Sequence, residues 1–302
     1  MSPRVLTVGE TMVLLDPRGD GPLELGRTLT LRVAGAESNF AIALARLGVP
    51  VAWVSRVGDD PLGEIVRSTI EREGVDVSLV RPDPAPTGVF FKWREDGRSF
   101  PLYYRRGSAA AQLGPGDVPD AALDGVELVH LTGITTALGE RPRALVVDLA
   151  RRAKSRGAVV TFDPNFRPAL WPDAAAAARA QAEALPFVDW YLCGLEEGRA
   201  LFGVDGADEL VESARTAGAA DAVVRIGARG AFVAGVEVAP ERLEDVVDEV
   251  GAGDAFAAGF AYGLLQGWPP ERCASAGNLL AAHALGGTGD WETLPHRDEL
   301  VF

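Results

Sequence analysis

The chain is poor in cysteine and histidine, with two and three, and its 29 basic residues are outnumbered by 43 acidic ones, for a formal net charge of −14. Cys193 and Cys273 lie in apolar surroundings, with no metal-ligand spacing to the histidines. They read as reduced thiols of a cytoplasmic protein. The acid excess argues against nucleic acid or an anionic membrane as partner, because a phosphate-backbone binder needs a basic face. Small anionic substrates stay open through local arginines. Nowhere do about 18 apolar residues run together, and the stretch from Met1 to Asp16 is interrupted by Glu10, so neither a membrane span nor a signal peptide is expected. There is no internal repeat and no disordered linker.

What is present suits a large core: 302 residues, 47% of them apolar, enough for one α/β domain with an appendage or for two small domains. Arg4 to Val8 and Val51 to Val57 read as strands around a helix from Glu37 to Leu47 that Gly48 closes. From Val126 onward strands and helices alternate: strand Val126 to Leu131, helix Pro142 to Arg156, strand Ala158 to Phe162, helix Asp173 to Leu185, strand Val188 to Leu192. A helix from Asp208 to Ala217, a strand from Ala222 to Ile226, a hairpin around Ala231 to Val238 and two C-terminal helices follow. Such alternation implies a parallel sheet covered on both faces, with ligands outside the carboxyl ends of its strands. Two segments depart from it. Leu23 to Val33 alternates like exposed antiparallel strands, and Thr87 to Arg94 with Ser99 to Arg105 flanks the strong turn Asp96-Gly97. Together they form a small sheet whose apolar Val89, Phe91, Trp93 and Leu102 need cover from the site below or from a second copy.

The stretch Val250-Gly251-Ala252-Gly253-Asp254-Ala255-Phe256 combines a tight small-residue turn with the start of an apolar helical run. Unpaired N–H groups and the positive end of the helix dipole make the backbone of Ala252, Gly253 and Asp254 a seat for an anion. A carboxylate at Asp254 is odd there. It either caps the helix or takes a proton from an attacking hydroxyl while the amides hold a transferring phosphoryl group.

Other motifs carry two readings each. Ala34-Gly35-Ala36-Glu37-Ser38-Asn39 is a capped helix start or a hydroxyl-binding turn. Arg56 to Gly63 is architectural, with Pro61 near the first helical position. In Tyr103-Tyr104-Arg105-Arg106, Arg106 reads as a solvated edge, while Arg105 is suited to bind a carboxylate through two parallel hydrogen bonds. Arg167 follows the strand ending at Phe162, where ligands are expected, and suits either a carboxylate or a phosphate. Asp163 and Asn165 beside it are structural or polarise the site. Arg225-Ile226-Gly227-Ala228-Arg229-Gly230 is a hairpin turn or a phosphate-facing loop.

The nonapeptide Asp248-Glu249-Val250-Gly251-Ala252-Gly253-Asp254-Ala255-Phe256 closely resembles the C-terminal signature of ribokinase-like (PfkB-type) sugar kinases, and the likeness runs from Val5 to the tail. It implies a ribokinase-like three-layer αβα sandwich with a mostly parallel sheet, a single domain over 1–302 with a small β lid from about 11–35 and 87–106. It further implies transfer of the γ-phosphoryl group of ATP, with magnesium, to the terminal hydroxyl of a sugar. Asp254 is then the base, and Gly251, Ala252 and Gly253 form the anion hole. Gly35, Asn39, Phe90, Tyr103, Arg105, Ile134, Arg167 and Asp290 become substrate contacts. Asn165, Arg225, Gly227, Ala228, Gly230, Gly251, Gly253 and Asn278 fall to the nucleotide. Glu197 stands where the family organises magnesium through water, but Gly194 replaces the usual asparagine of that motif. Ala-Gly-Ala-Glu-Ser-Asn, the Tyr-Tyr-Arg segment, Leu131-Thr132-Gly133-Ile134 and Asp290 look most like 2-keto-3-deoxygluconate kinases, so the preferred acceptor is a sugar acid, with fructose or another neutral sugar as the rival. Homo-oligomers through the lid are common in the family, and a monovalent-cation requirement stays open. A non-catalytic sugar or nucleotide sensor is the alternative from another class. A dinucleotide oxidoreductase lacks its Gly-x-Gly-x-x-Gly turn, which Gly9-Glu10-Thr11 does not supply.

Overall fold

The computed structural model describes residues 2–17, 19–95, 98–241, 250–287 and 289–302. The Asp96-Gly97 turn, Asp248-Glu249 and Thr288 lie outside the described residues. Nine strands form the main sheet in the spatial order β13 (Val236–Val238), β12 (Ala231–Val233), β11 (Asp221–Arg225), β10 (Trp190–Gly194), β9 (Val159–Asp163), β8 (Leu128–Thr132), β1 (Val5–Val8), β4 (Val51–Gly58) and β5 (Val80–Asp83). All pairs are parallel except β11 with β12 and β12 with β13.

The inner strands are buried on both faces. Val5 joins a core with Phe40 and Phe256, while Leu6 and Val8 join a second core with Leu145 and Leu149. Leu192 points to the first, Tyr191 and Cys193 to the second. Strands buried on both faces need helices on both, which gives three layers. Helices α1 (Ala36–Arg46), α2 (Pro61–Arg72), α8 (Ala252–Leu265) and α9 (Pro270–Leu285) cover one side. The other carries α4 (Glu140–Ser155), α6 (Leu195–Phe202) and α7 (Ala207–Thr216). Short α3 (Gly133–Ala137) opens directly after β8, and α5 (Ala174–Ala182) packs on α6. Helix α5 stops short of the expected Leu185, because Pro186 falls in a following 3-10 turn. Strand β5 and helix α6 went unread in the sequence; both are short.

Chain order reverses between β1 and β8: from β1 the chain proceeds outward through β4 and β5, from β8 through β9, β10 and β11. That reversal opens a crevice at the carboxyl ends of β1 and β8. The second sheet, ordered β3 (Leu29–Ala34), β2 (Met12–Pro17), β6 (Val89–Glu95) and β7 (Arg98–Tyr104), leaves the main body there, because β2 begins three residues after β1 ends. Pairing in β3 starts at Leu29, later than the expected Leu23, since Gly21 and Gly26 take left-handed backbone angles in the preceding loop. Asp60 caps α2 at Gly63 N (2.8 Å) and also accepts from Thr87 N (2.9 Å), so the architectural turn at residues 56–63 anchors the chain where it leads into β6. Met12, Leu14, Ala34 and Phe90 pack with Tyr103 on the inner face of the small sheet. Leu15, Leu31, Phe91, Phe100 and Leu102 occupy the opposite face by register. Among the described residues no helix is long and apolar enough to cross a membrane.

Candidate active site

Helix α8 begins at the turn singled out in the sequence. Gly251 is its N-cap at φ +81, a conformation that glycine adopts without strain. A Cβ there would also lie 2.0 Å from the backbone oxygen of Asp290, so close approach and handedness both demand glycine. The N–H groups of Ala252, Gly253 and Asp254 have no carbonyl four residues back within the helix. They stand at the positive end of a 14-residue helix, the position in which an anion seat is expected.

Asp254 does not cap the helix. Its carboxylate accepts from the amides of two asparagines brought from other elements: Asn39 Nδ2 to Oδ2 at 2.8 Å and Asn165 Nδ2 to Oδ1 at 3.1 Å. Asn39 sits in the first turn of α1, its Oδ1 facing Gly35 N at 3.5 Å, which orients the amide. Asn165 holds a left-handed φ of 38, strained for a non-glycine residue, and its N–H is fixed by Asp163 Oδ1 at 2.8 Å. Among the described residues its buried Oδ1 has no donor. Burial pushes the Asp254 carboxyl up to about 8; the Asn39 hydrogen bond and Arg167 oppose that, and Asp163 and Asp290 add to it. A carboxyl poised near neutrality beside an anion seat is suited to accept a proton.

Arg225, at the end of β11, does not stand free toward donor phosphates. Its Nη1 donates to Asp163 Oδ2 (2.6 Å) and to the carbonyl of Gly253 (3.3 Å), and Nη2 to Glu197 Oε2 (3.0 Å). Burial works against this charge, and the two carboxylates more than offset it, holding Arg225 above the usual arginine range. Glu197 in turn accepts from Phe166 N and Gly194 N, both at 2.7 Å. One guanidinium therefore braces the glycine turn at residues 251–253, the Asp163–Arg167 loop and the start of α6.

The acid-side candidates gather under the small sheet. Phe90 stacks on Tyr103 at 5.3 Å between ring centres, and the Arg105 guanidinium lies 5.9 Å from the Tyr103 ring. Ile134 is buried in α3, Gly35 precedes α1, Asp290 is buried beside Gly251, and Arg167 is exposed within electrostatic reach of Asp254. Arg106 is exposed, as expected of a solvated edge. On the nucleotide side Gly227 and Ala228 are exposed in a turn, and Gly230 is buried at φ +94 against the Val238 carbonyl. The Asn278 amide is taken by the carbonyls of Val238 (3.1 Å) and Ala239 (2.8 Å), tying α9 to the end of β13.

Two buried acids had no role in the sequence reading. Glu10 pairs with Arg105, and Glu37 Oε1 accepts from Thr132 Oγ1 and from Thr135 Oγ1 (2.6 Å) at the crevice between β1 and β8. Burial raises the Glu37 carboxyl, against both hydroxyl hydrogen bonds. Their signal was position alone: a charged residue directly after an apolar strand, or in the first turn of a buried helix, on the ligand side of a parallel sheet.

Compared with known proteins, residues 2–297 match the family described as pfkB family carbohydrate kinase. The chain is 34% identical over 303 residues to a 2-dehydro-3-deoxygluconokinase of Bacillus subtilis (strain 168), covering 98% of this chain and 94% of that one. It is 38% identical over 299 residues to the 2-dehydro-3-deoxygluconokinase of Thermoproteus tenax, covering 96% and 91%. A crystallised PfkB protein from Polaromonas sp. JS666 superposes with a TM-score of 0.89 at 35% identity, covering 98% of each chain.

Proposed function

Because this chain belongs to the pfkB family of carbohydrate kinases, we propose that it phosphorylates the terminal hydroxyl of 2-keto-3-deoxygluconate or a close keto-deoxy sugar acid, the acceptor in the names of the two relatives. The carrying observation is Asp254, held by Asn39 and Asn165 beside the open amides of residues 252–254. Asp254 takes the proton of the acceptor hydroxyl as its oxygen bonds to the γ-phosphorus of ATP. The bond to the β,γ-bridging oxygen breaks, and the amides hold the charge on the transferring group. Positioning supplies most of the rate. Tyr103, Arg105 and Arg167 hold the acid end, Phe90 and Ile134 form the apolar wall, and Gly35, Asn39 and Asp290 meet the hydroxyls. Gly227, Ala228, Gly230 and Asn278 border the nucleotide. The small sheet acts as a lid that excludes water, the competing acceptor.

No group of three metal-ligating side chains is present among the described residues, so a magnesium ion has to ride on phosphates and water, as this cation commonly does. Glu197 Oε1, which among the described residues accepts from Phe166 N alone, and Asn165 Oδ1, which has no donor among them, suit metal-bound water. When bound, the ion neutralises charge on the β- and γ-phosphates.

The test is ATP consumption with magnesium against 2-keto-3-deoxygluconate, 2-keto-3-deoxygalactonate, fructose, ribose and adenosine, for the parent, Asp254→Asn and Arg105→Ala. Turnover far stronger on the keto-deoxy acids than on fructose, ribose or adenosine is expected, abolished in Asp254→Asn and sharply reduced on the acids in Arg105→Ala. Turnover on fructose or ribose alone refutes the acid acceptor. An unchanged kcat/KM in Arg105→Ala removes that residue from the acid end.

The outer face of the small sheet exposes Leu31, Phe100, Leu102 and Tyr104, with Trp93 stacked on Phe100. A self-complementary apolar face of this kind suits a second copy of the chain. Sedimentation of the parent should give a dimer or higher oligomer and Leu102→Arg a smaller species. Cys193 and Cys273 are buried free thiols, as suits the reducing cytoplasm.

A further inference from the structure

Glu10 lies where the connections of the small sheet to the main body converge. It stands between β1 and β2, and its side chain reaches the segment that leaves β7. Glu10 Oε2 accepts from Arg105 Nε at 2.6 Å, with Nη2 of the same guanidinium 2.5 Å from that oxygen, and Oε1 accepts from Ser108 Oγ. The other two connections give way to it. A Cβ on Gly88, ahead of β6, would lie 2.7 Å from Glu10 Oε1, and one on Gly35, between β3 and α1, would lie 2.4 Å from the Glu10 carbonyl oxygen. Glu10 is 2% and Arg105 8% exposed.

We propose that Glu10 is a positioning residue for acid recognition, holding Arg105 by one edge of its guanidinium so that the other edge is left to read a substrate carboxylate. This rests on the acceptor reading given above. A guanidinium has five N–H groups along two usable edges. Glu10 takes the Nε edge. Nη2 is buried, 2.5 Å from the same Glu10 Oε2, yet among the described residues no acceptor is aligned with its N–H groups; its second N–H belongs to the far edge, where a buried donor gains from an arriving carboxylate. Neutralisation by Glu10 is also what allows the cation to sit buried before substrate arrives, because an unpaired buried charge is strongly disfavoured. Without that hold, the substrate has to order a rotamer-rich side chain on binding, a cost worth up to about tenfold in affinity. A neutral acceptor makes no use of the fork, so the effect falls on acids.

Steady-state kinetics of Glu10→Gln, Glu10→Ala, Ser108→Ala, Arg105→Ala and the double variant Glu10→Ala/Arg105→Ala test this, with 2-keto-3-deoxygluconate and with fructose as neutral comparator. Glu10→Ala should raise KM for the acid about tenfold with little change in kcat or in KM for ATP, lowering the ratio of acid to fructose kcat/KM by the same factor. Glu10→Gln, which keeps an oxygen for Nε, recovers part of that ratio, and Ser108→Ala lowers it by a smaller factor. The double variant should be no worse than Arg105→Ala alone. Equal kcat losses on both acceptors with KM unmoved, or losses that add in the double variant, overturn the assignment. Should Glu10→Ala fail to fold, an unchanged ratio in Glu10→Gln and Ser108→Ala overturns it equally. A parent that uses no keto-deoxy acid refutes the acceptor reading and this inference together. Acid turnover lost in Arg105→Ala but intact in the Glu10 variants refutes this inference alone.

Discussion

Asn39 donates its amide to Asp254 across 2.8 Å, joining the first turn of α1 to the first turn of α8 over 215 residues of sequence. The hydrogen bond favours the ionised carboxylate. Asn39→Ala should therefore lift the Asp254 pKa further and lower kcat at neutral pH, with part of the loss recovered in more alkaline buffer. A loss identical at every pH would mean that Asn39 serves only the sugar.

Asp254→Asn keeps the shape of the side chain and removes its basicity. We expect kcat to fall on the order of 10²- to 10⁴-fold, while ATP binding, followed by calorimetry, persists.

With the Asp254 carboxyl pushed up to about 8 by burial, kcat/KM should climb tenfold per pH unit below 8 and level off above it. The sign for stability is the reverse. A group whose folded pKa is raised contributes fully below its unfolded value, near 4 for an aspartate, and the contribution is lost as pH rises through 8. Comparing urea midpoints of the parent and Asp254→Asn between pH 5 and 9 should show the parent losing ground steadily with pH.

Arg225→Met leaves Asp163 and Glu197 without their shared cation. Breaking a buried ion pair costs about 3–5 kcal/mol, and with 19% of the Arg225 side chain exposed the lower end is expected in equilibrium unfolding. Asp163 raises the Asp254 carboxyl, so losing its counter-charge should also move the kinetic inflection to higher pH. Arg225→Lys restores charge without the fork and should fall between.

Gly251→Ala forces a side chain into a left-handed conformation, about 1–2 kcal/mol, and onto the Asp290 carbonyl. Both melting temperature and kcat should drop. Gly253→Ala places its Cβ 3.4 Å from Arg225 Nη1, an ordinary contact, and should melt close to the parent.

Much of this protein is legible because it is local. Strand and helix periods, glycine turns and the apolar run after Asp254 are set by neighbours within a few residues, and they sufficed for the three layers, the start of α8 and the small sheet. The capping and base readings of Asp254 were not separable at that level, since both need a carboxylate at a helix start. The partners of that carboxylate, from α1 and from the loop after β9, set the capping reading aside and leave the base as the proposal.

The same distinction divides the arginines. That Arg105, Arg167 and Arg225 stand near strand ends follows from the order of residues alone. Which of them faces a ligand depends on which carboxylate reaches it first: Glu10 is 95 positions from Arg105 and Asp163 is 62 from Arg225. Element type is decided by local sterics and periodicity, which the sequence carries in full. Charge pairing, burial and the poise of Asp254 are decided by which distant segments the sheet order brings together at one crevice, and only the folded chain supplies that.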